Sequence, residues 1–183
     1  MIANQIAGLL TGGVAASLTD YESIQTTTVG AGGTSTITFS SIPSTYSHLQ
    51  IRMLSNDGSG NNNNFMRFNS DTAGNYSWHF LQGDGSAASA GASTSQTAMI
   101  CGKTGINATG NGVEVIDILD YANTNKYKTI RSLSGTDYNN TNGRLFFSSG
   151  SWRSTSAVTT VTLTNDSGTN FTQYSSFALY GIK

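Results

Sequence analysis

Beyond about residue 22 the apolar residues recur at every second position, and no segment keeps a helical period for the length of a helix. Residues 24–29, 34–39 and 48–54 alternate and are rich in Thr, Ile and Val, whose branching suits a pleated, half-buried surface. "NNFMRFN" (63–69) and "NYSWHFLQG" (75–83) follow. In the second, Tyr76, Trp78 and Phe80 line one face and His79 and Leu81 the other, because successive side chains of a strand point to opposite sides. The runs "TAMICG" (97–102), "NGVEVIDILDY" (111–121), "KYKTIRSLSG" (126–135), "GRLFFSSG" (143–150), "SAVTTVTLTN" (156–165) and "YSSFALYGIK" (174–183) complete the pattern. About eleven short strands at spacings of roughly eight to fifteen residues predict an all-β sandwich or barrel, and an antiparallel β-sandwich is the form expected.

The links between these runs are made of Gly, Asn, Asp and Ser, as in "NDGSGNNNN" (56–64) and "TDYNNTNG" (136–143). Gly supplies positive φ, and Asn and Asp bond their own backbone. The two longest, 55–64 and 83–95, are expected to cross between sheets or to stand out as binding loops. One turn differs. Pro43 is the single proline of the chain, within "FSSIPSTYSHLQIRML" (39–54). It fixes φ and cannot donate to a ladder, so it cannot lie inside a central strand, and it biases Ile42 to extended geometry. The chain is expected to leave a strand at Ile42, turn through "PSTY" and enter the next at about Ser47, a rigid corner between sheets. Tyr46 is the expected corner tyrosine, its ring on the core and its hydroxyl on a backbone group.

Residues 1–22 read as an arm and 23–183 as the β-sandwich domain. Within the arm Ile2, Ile6, Leu9 and Leu10 sit at helical spacings and form a short apolar stripe that needs a surface to lie on. No Lys or Arg precedes that stripe and Gly12-Gly13 interrupts it, which fits neither a signal peptide nor a membrane span. It is therefore read as a partner-docking arm. Only 10% of residues are charged, against about 25% in an average domain. A net charge of −1 with scattered basic residues argues against nucleic acid as a partner. So little charge also leaves a free monomer prone to associate, which suits a protein that lives in an assembly.

The residues that carry chemistry are thinly spread. His48 and His79 lie in separate strand runs with no metal-ligand spacing, and the lone Cys101 reads as a small buried hydrophobe, so no cofactor or metal is expected. In "VEVIDILDY" Glu114 and Asp120 share a face with Ile116 and Ile118, while Asp117 points the other way with Val113, Val115 and Leu119. Glu114 and Asp120 would stand about 20 Å apart along a strand, too far for a glycosidase pair. Asp117 is expected to pair with Lys126 or Lys128. "NDGSGNNNN" lacks the ordered acids of a Ca²⁺ loop. Trp152, which follows a turn and abuts Arg153, is the candidate for stacking on a sugar; the alternative packs it at the sandwich edge with Arg153 folded over it.

Taken in order, "ITFSSIPSTYSHLQIRM", "RFNSDTAGNYSWHFLQGDGS", "IDILDYANTNKYKT", "SGSWRSTSAVTTVTL" and "SSFALYGIK" resemble a family of small β-rich phage structural proteins, whose related domains end tail-fibre or tail-spike chains. The resemblance spans roughly residues 24–183. It implies structure and attachment, with no catalytic residue to carry over. The chain is accordingly expected to be a non-enzymatic virion protein, made in the host cytoplasm, with a jelly-roll-like sandwich. It would be a homo-oligomer, with a trimer the form expected from phage practice. A tail or baseplate appendage touching host-surface glycan through Trp152 and Arg153 is the first placement. A capsid decoration protein cementing the major capsid protein is the second, and a free-standing carbohydrate-binding module the third. Deleting residues 1–20 is expected to leave a folded β domain that no longer joins the particle, read out by circular dichroism and by co-sedimentation with purified particles.

Overall fold

Twelve antiparallel strands make up the computed structural model, which describes residues 20–58, 62–105, 110–137, 143–166 and 168–183. They are β1 (Tyr21–Thr28), β2 (Ile37–Phe39), β3 (His48–Ser55), β4 (Asn63–Phe68), β5 (Tyr76–Gly83) and β6 (Ala88–Gln96), then β7 (Met99–Lys103), β8 (Gly112–Leu119), β9 (Lys128–Asp137), β10 (Gly143–Trp152), β11 (Val161–Asn165) and β12 (Ser176–Ile182). The larger sheet has the order β1-β12-β3-β8-β9-β10-β5-β6 and the smaller β2-β11-β4-β7. The two make an all-β sandwich, as the spacing of the runs predicts.

Eight strands nest. β1 pairs with β12, β2 with β11, β3 with β8 and β4 with β7. The remaining four arrive as two hairpins, β5–β6 and β9–β10, which widen the larger sheet beyond β8. The core lies between the sheets, where Leu49, Ile51 and Met53 of β3 and Ile116 and Ile118 of β8 join Met66 and Phe68 of β4 and Met99 of β7. Each of these alternates with an outward residue, so the period of two is what builds the layer.

β6 is the element the sequence does not announce. Its "ASAGASTSQ" has almost no branched or aromatic residue, and residues 83–95 read as a loop. It holds as an edge strand because β5 offers a complete ladder partner. Gly91 also leaves room for the Phe80 ring, which a Cβ there would meet at 2.7 Å. The other long link behaves as expected, since it carries the chain from β3 in the larger sheet to β4 in the smaller. It is tied down at Asn56, whose carbonyl accepts from Thr172 N at 2.7 Å and whose Oδ1 accepts from Gly58 N at 2.7 Å.

The Pro43 corner joins β2 to β3 and so passes from the smaller sheet to the larger. Ile42 is buried, and its N–H donates to Thr159 O at 3.0 Å. The corner tyrosine, however, is Tyr121 and not Tyr46. The fully buried Tyr121 hydroxyl donates to Pro43 O and accepts from Tyr46 N at 3.4 Å, so one phenol closes both backbone groups of the turn. Tyr46 is half-buried against the core over Gly181, where a Cβ would lie 2.4 Å from its ring, and burial together with the nearby Glu22 carboxylate pushes its hydroxyl pKa up. Tyr121 wins because it follows β8 directly and reaches the corner from inside the layer. Tyr121→Phe is expected to lower stability by about 1–3 kcal/mol, the cost of a buried polar group left without its partner, measurable as a lower urea midpoint at unchanged slope.

Candidate interaction surface

Strand β8 is apolar on both sides. Glu114, Ile116 and Ile118 face the core, while Val113, Val115 and Leu119 face outward and are exposed. An antiparallel sheet with one wet face normally shows polar residues there. The same inversion continues into β9 and β10. Their inward positions include Ser132, Ser134 and Ser148, all buried, whereas Leu133, Leu145 and Phe147 point out with 53%, 62% and 47% of their surface exposed.

The register lines these residues up across the sheet. One row runs Arg52, Val115, Leu133, Phe147, Leu81, Ala90 over β3, β8, β9, β10, β5 and β6. The adjacent row runs Leu54, Val113, Gly135, Leu145, Gly83, Ala88. Together they make a band two rows deep and six strands wide. Three shallow hollows indent the face, about 350, 430 and 260 Å³, lined chiefly by these residues and their neighbours. The next row is polar: Gln50, Asp117, Arg131, Ser149 and His79. Asp117 is held there by Arg131 Nη2 at 2.8 Å and Gln50 Nε2 at 2.8 Å. Burial pushes the Asp117 carboxyl up, but those two hydrogen bonds outweigh it and leave the pKa below its ordinary value. Arg52 donates to Gln50 Oε1 at 2.8 Å and lies over the rings of Tyr21 and Tyr180 at 5.4 and 5.1 Å.

The residues singled out for chemistry are placed otherwise. Trp152 is 3% exposed. It stacks on Tyr76 at 6.3 Å, meets Phe68 edge-on at 5.6 Å and donates from Nε1 to Asp71 Oδ2 at 2.7 Å. Its ring is therefore part of the core and has no free face for a sugar, which corrects the expectation of sugar stacking at Trp152, while Arg153 is exposed. Hydrogen bonds from Asn75 and Trp152 hold the Asp71 carboxyl below its ordinary range. Arg153 does not fold over the indole; its Nη2 donates to Gly74 O at 2.6 Å. The arm residues Ile2, Ile6, Leu9 and Leu10 lie outside the described residues.

Asp117 pairs with Arg131, not with either of the lysines expected for it. Lys126 pairs with Asp120 at 2.5 Å. Lys128 is buried, and its Nζ donates to the carbonyls of Asn123, Lys126 and Thr155 at 2.6, 2.9 and 3.2 Å, clamping the β8–β9 turn to the segment after β10. His48 Nδ1 accepts from Asp120 N at 3.0 Å, while His79 is exposed on the polar row. Cys101 is fully buried, and its thiol, pushed up by burial and by Glu114, donates to Asn64 O at 3.3 Å. A cleft of about 670 Å³ beside the β5–β6 turn has its charges matched within the chain, Arg144 Nη1 to Asp84 Oδ2 at 3.1 Å. Among the described residues no three His, Cys, Asp or Glu side chains gather as a metal site.

Glu114 is enclosed between the sheets. Asn64 Nδ2 donates to its Oε1, and Oε2 has no partner among the described residues. Desolvation pushes its pKa from 4.5 up to about 8. It is thus a neutral acid at pH 7 that no substrate reaches. The sequence did carry a sign of the outward band, since Val113, Val115 and Leu119 share a face in a strand whose other face is already apolar. No family model, curated protein or solved structure matches the chain.

The Glu114 carboxyl sets a pH dependence. The unfolded chain releases this proton above pH 4.5 and the folded chain keeps it to about pH 8. Stability is therefore full at low pH and declines as pH rises across that window, by up to about 1.4 kcal/mol per pH unit. Glu114→Gln is expected to flatten that decline in urea titrations at pH 5, 6.5 and 8, with the variant gaining most at pH 8.

Proposed function

We propose that this chain is a non-enzymatic structural protein of a phage particle that attaches through the outer face of its larger sheet. The observation that carries attachment is the two-row band of Leu, Val and Phe, which an isolated protein would have every reason to keep polar. Low total charge points the same way. The particle itself comes from the sequence resemblance. The nested strand pairing, first with last through four shells, supports reading the sandwich as a jelly roll with two added hairpins.

A tail or baseplate appendage is the first placement, and a capsid decoration protein bound to the major capsid protein the second. With Trp152 in the core, the case for the tail no longer includes a sugar-stacking indole. A broad, flat, uncharged face suits seating on another protein, which either placement needs.

Immunogold labelling of purified particles tests the reading. Label at the tail or baseplate is the expected result, and label over the capsid faces selects the second placement. A protein absent from particles and left entirely in the soluble lysate overturns it.

A further inference from the structure

We infer that the occupant of the outward band is a second copy of this chain, packed sheet on sheet about a two-fold axis lying in the interface. The inference rests on the reading of the band as an attachment surface and goes further by naming what covers it.

Four observations select a second copy. First, the size fits. Eight strands about 4.8 Å apart and four outward rows about 6.7 Å apart give a whole face of roughly 1,000 Å², of which the apolar band is roughly 400 Å², against about 800 Å² per partner in a standard stable interface, so the band forms the centre of such an interface and the polar rows its margin. Second, the anatomy fits. The apolar rows lie within a face whose next row is Gln50, Asp117, Arg131 and Ser149, which is the apolar core and polar rim of a protein interface. Third, charge permits a surface to meet its own copy. The Leu133–Phe147 centre carries no charge, Arg131 is paired with Asp117 within the chain, and Arg52 rests on two tyrosine rings. A face arranged in this way selects neither an acidic nor a basic partner, and it sets no like charges against one another across a two-fold. Fourth, the apolar exposure is one-sided. Among the described residues the exposed large hydrophobics outside this face are Tyr127 and Tyr174, each in a loop.

The last point decides the symmetry. A ring of three needs two different complementary surfaces on each subunit, whereas a two-fold pair needs one surface that fits itself. The band is one surface. Its hollows are shallow and lined largely by apolar side chains, a relief into which the projecting Leu and Phe side chains of a facing sheet can interdigitate. The two inserted hairpins carry Leu133, Leu145, Phe147 and Leu81, from the middle of the face towards its β6 edge, so the strands added to the nested eight supply much of it.

The test uses the full chain in sedimentation equilibrium from about 1 to 100 μM, the range in which interfaces of this size associate. The expected mass is twice the 19.2 kDa of one chain. Leu133→Glu and, separately, Phe147→Glu are expected to shift the pair to monomer, weakening association at least about 100-fold, with an unchanged far-ultraviolet spectrum because both sites are exposed. Tyr174→Glu, exposed in a loop, is expected to leave the pair intact. Leu133→Cys is expected to cross-link to its own copy through a bismaleimide with a spacer of about 10 Å, the separation of packed sheets, while the buried Cys101 does not react.

A monomer throughout that range overturns the inference. So does a larger oligomer whose mass the two glutamate variants leave unchanged. Particle labelling that persists with a monomeric chain means that another particle protein covers the band, so the inference fails and the functional reading survives. A two-fold pair that never associates with particles sustains the inference and removes that reading.

Discussion

The structure is governed by a mismatch of width, eight strands facing four. The smaller sheet covers only part of the larger, and the part it covers is where burial of side chains is deepest. Strand β7, at the edge of the smaller sheet, is the last strand to lie over β8, β9 and β10. Beyond it the inner face is closed by aromatic side chains, with Phe80 stacked on Phe146 at 4.9 Å and Trp78 on Phe80 at 5.8 Å. Beneath β7 the inward residues of β9 and β10 are serines, with Ser148 Oγ bonded to Ser132 Oγ and to Ile100 O. Small side chains there let the two sheets approach closely. The bulk that a sandwich would ordinarily bury on these strands stands instead on the other face.

That exchange of faces explains how much was legible in the sequence. Alternation marked eleven of the strands, and the lone proline marked the passage between sheets, because both are local signals. Strand β6 escaped, since Ala, Ser and Gly carry no strand preference and only the ladder of β5 makes them a strand. The choice of Tyr121 over Tyr46 escaped for a different reason: it depends on which side chain the layer delivers to the corner, a tertiary fact. Trp152 stayed open between surface and core on the same ground. Its neighbours in sequence are turn residues, while its neighbours in space are Phe68, Tyr76 and Asp71. The outward band was half legible. Alternation gave the two faces of β8 correctly, but nothing local says which face is inside.

Several polar groups inside the sandwich are answered by the backbone or by another polar side chain. Lys128 is answered by three carbonyls and Asn69 by Ala157 O, Thr159 N and Thr160 N. These contacts fasten the long segment between β10 and β11, which has no ladder of its own. Glu114 is not fully answered: its Oε2 lacks a partner among the described residues, and burial keeps its proton on.

The nesting of the strands has a kinetic side. Tyr21 of β1 is paired with Ile182 of β12, and Lys183 N reaches Asp20 O at 3.2 Å. Strand β1 thus waits for β12, the most distant of its possible partners in the order of the described strands. Until β12 has been made, β1 and β3 lack the strand that lies between them, and the larger sheet has a gap near one edge. The hairpins β5–β6 and β9–β10 can close early because their partners are adjacent in the chain, while the outermost shell must bridge nearly its whole length. A fold of this kind closes slowly, because distant segments lose much entropy before their contacts repay it.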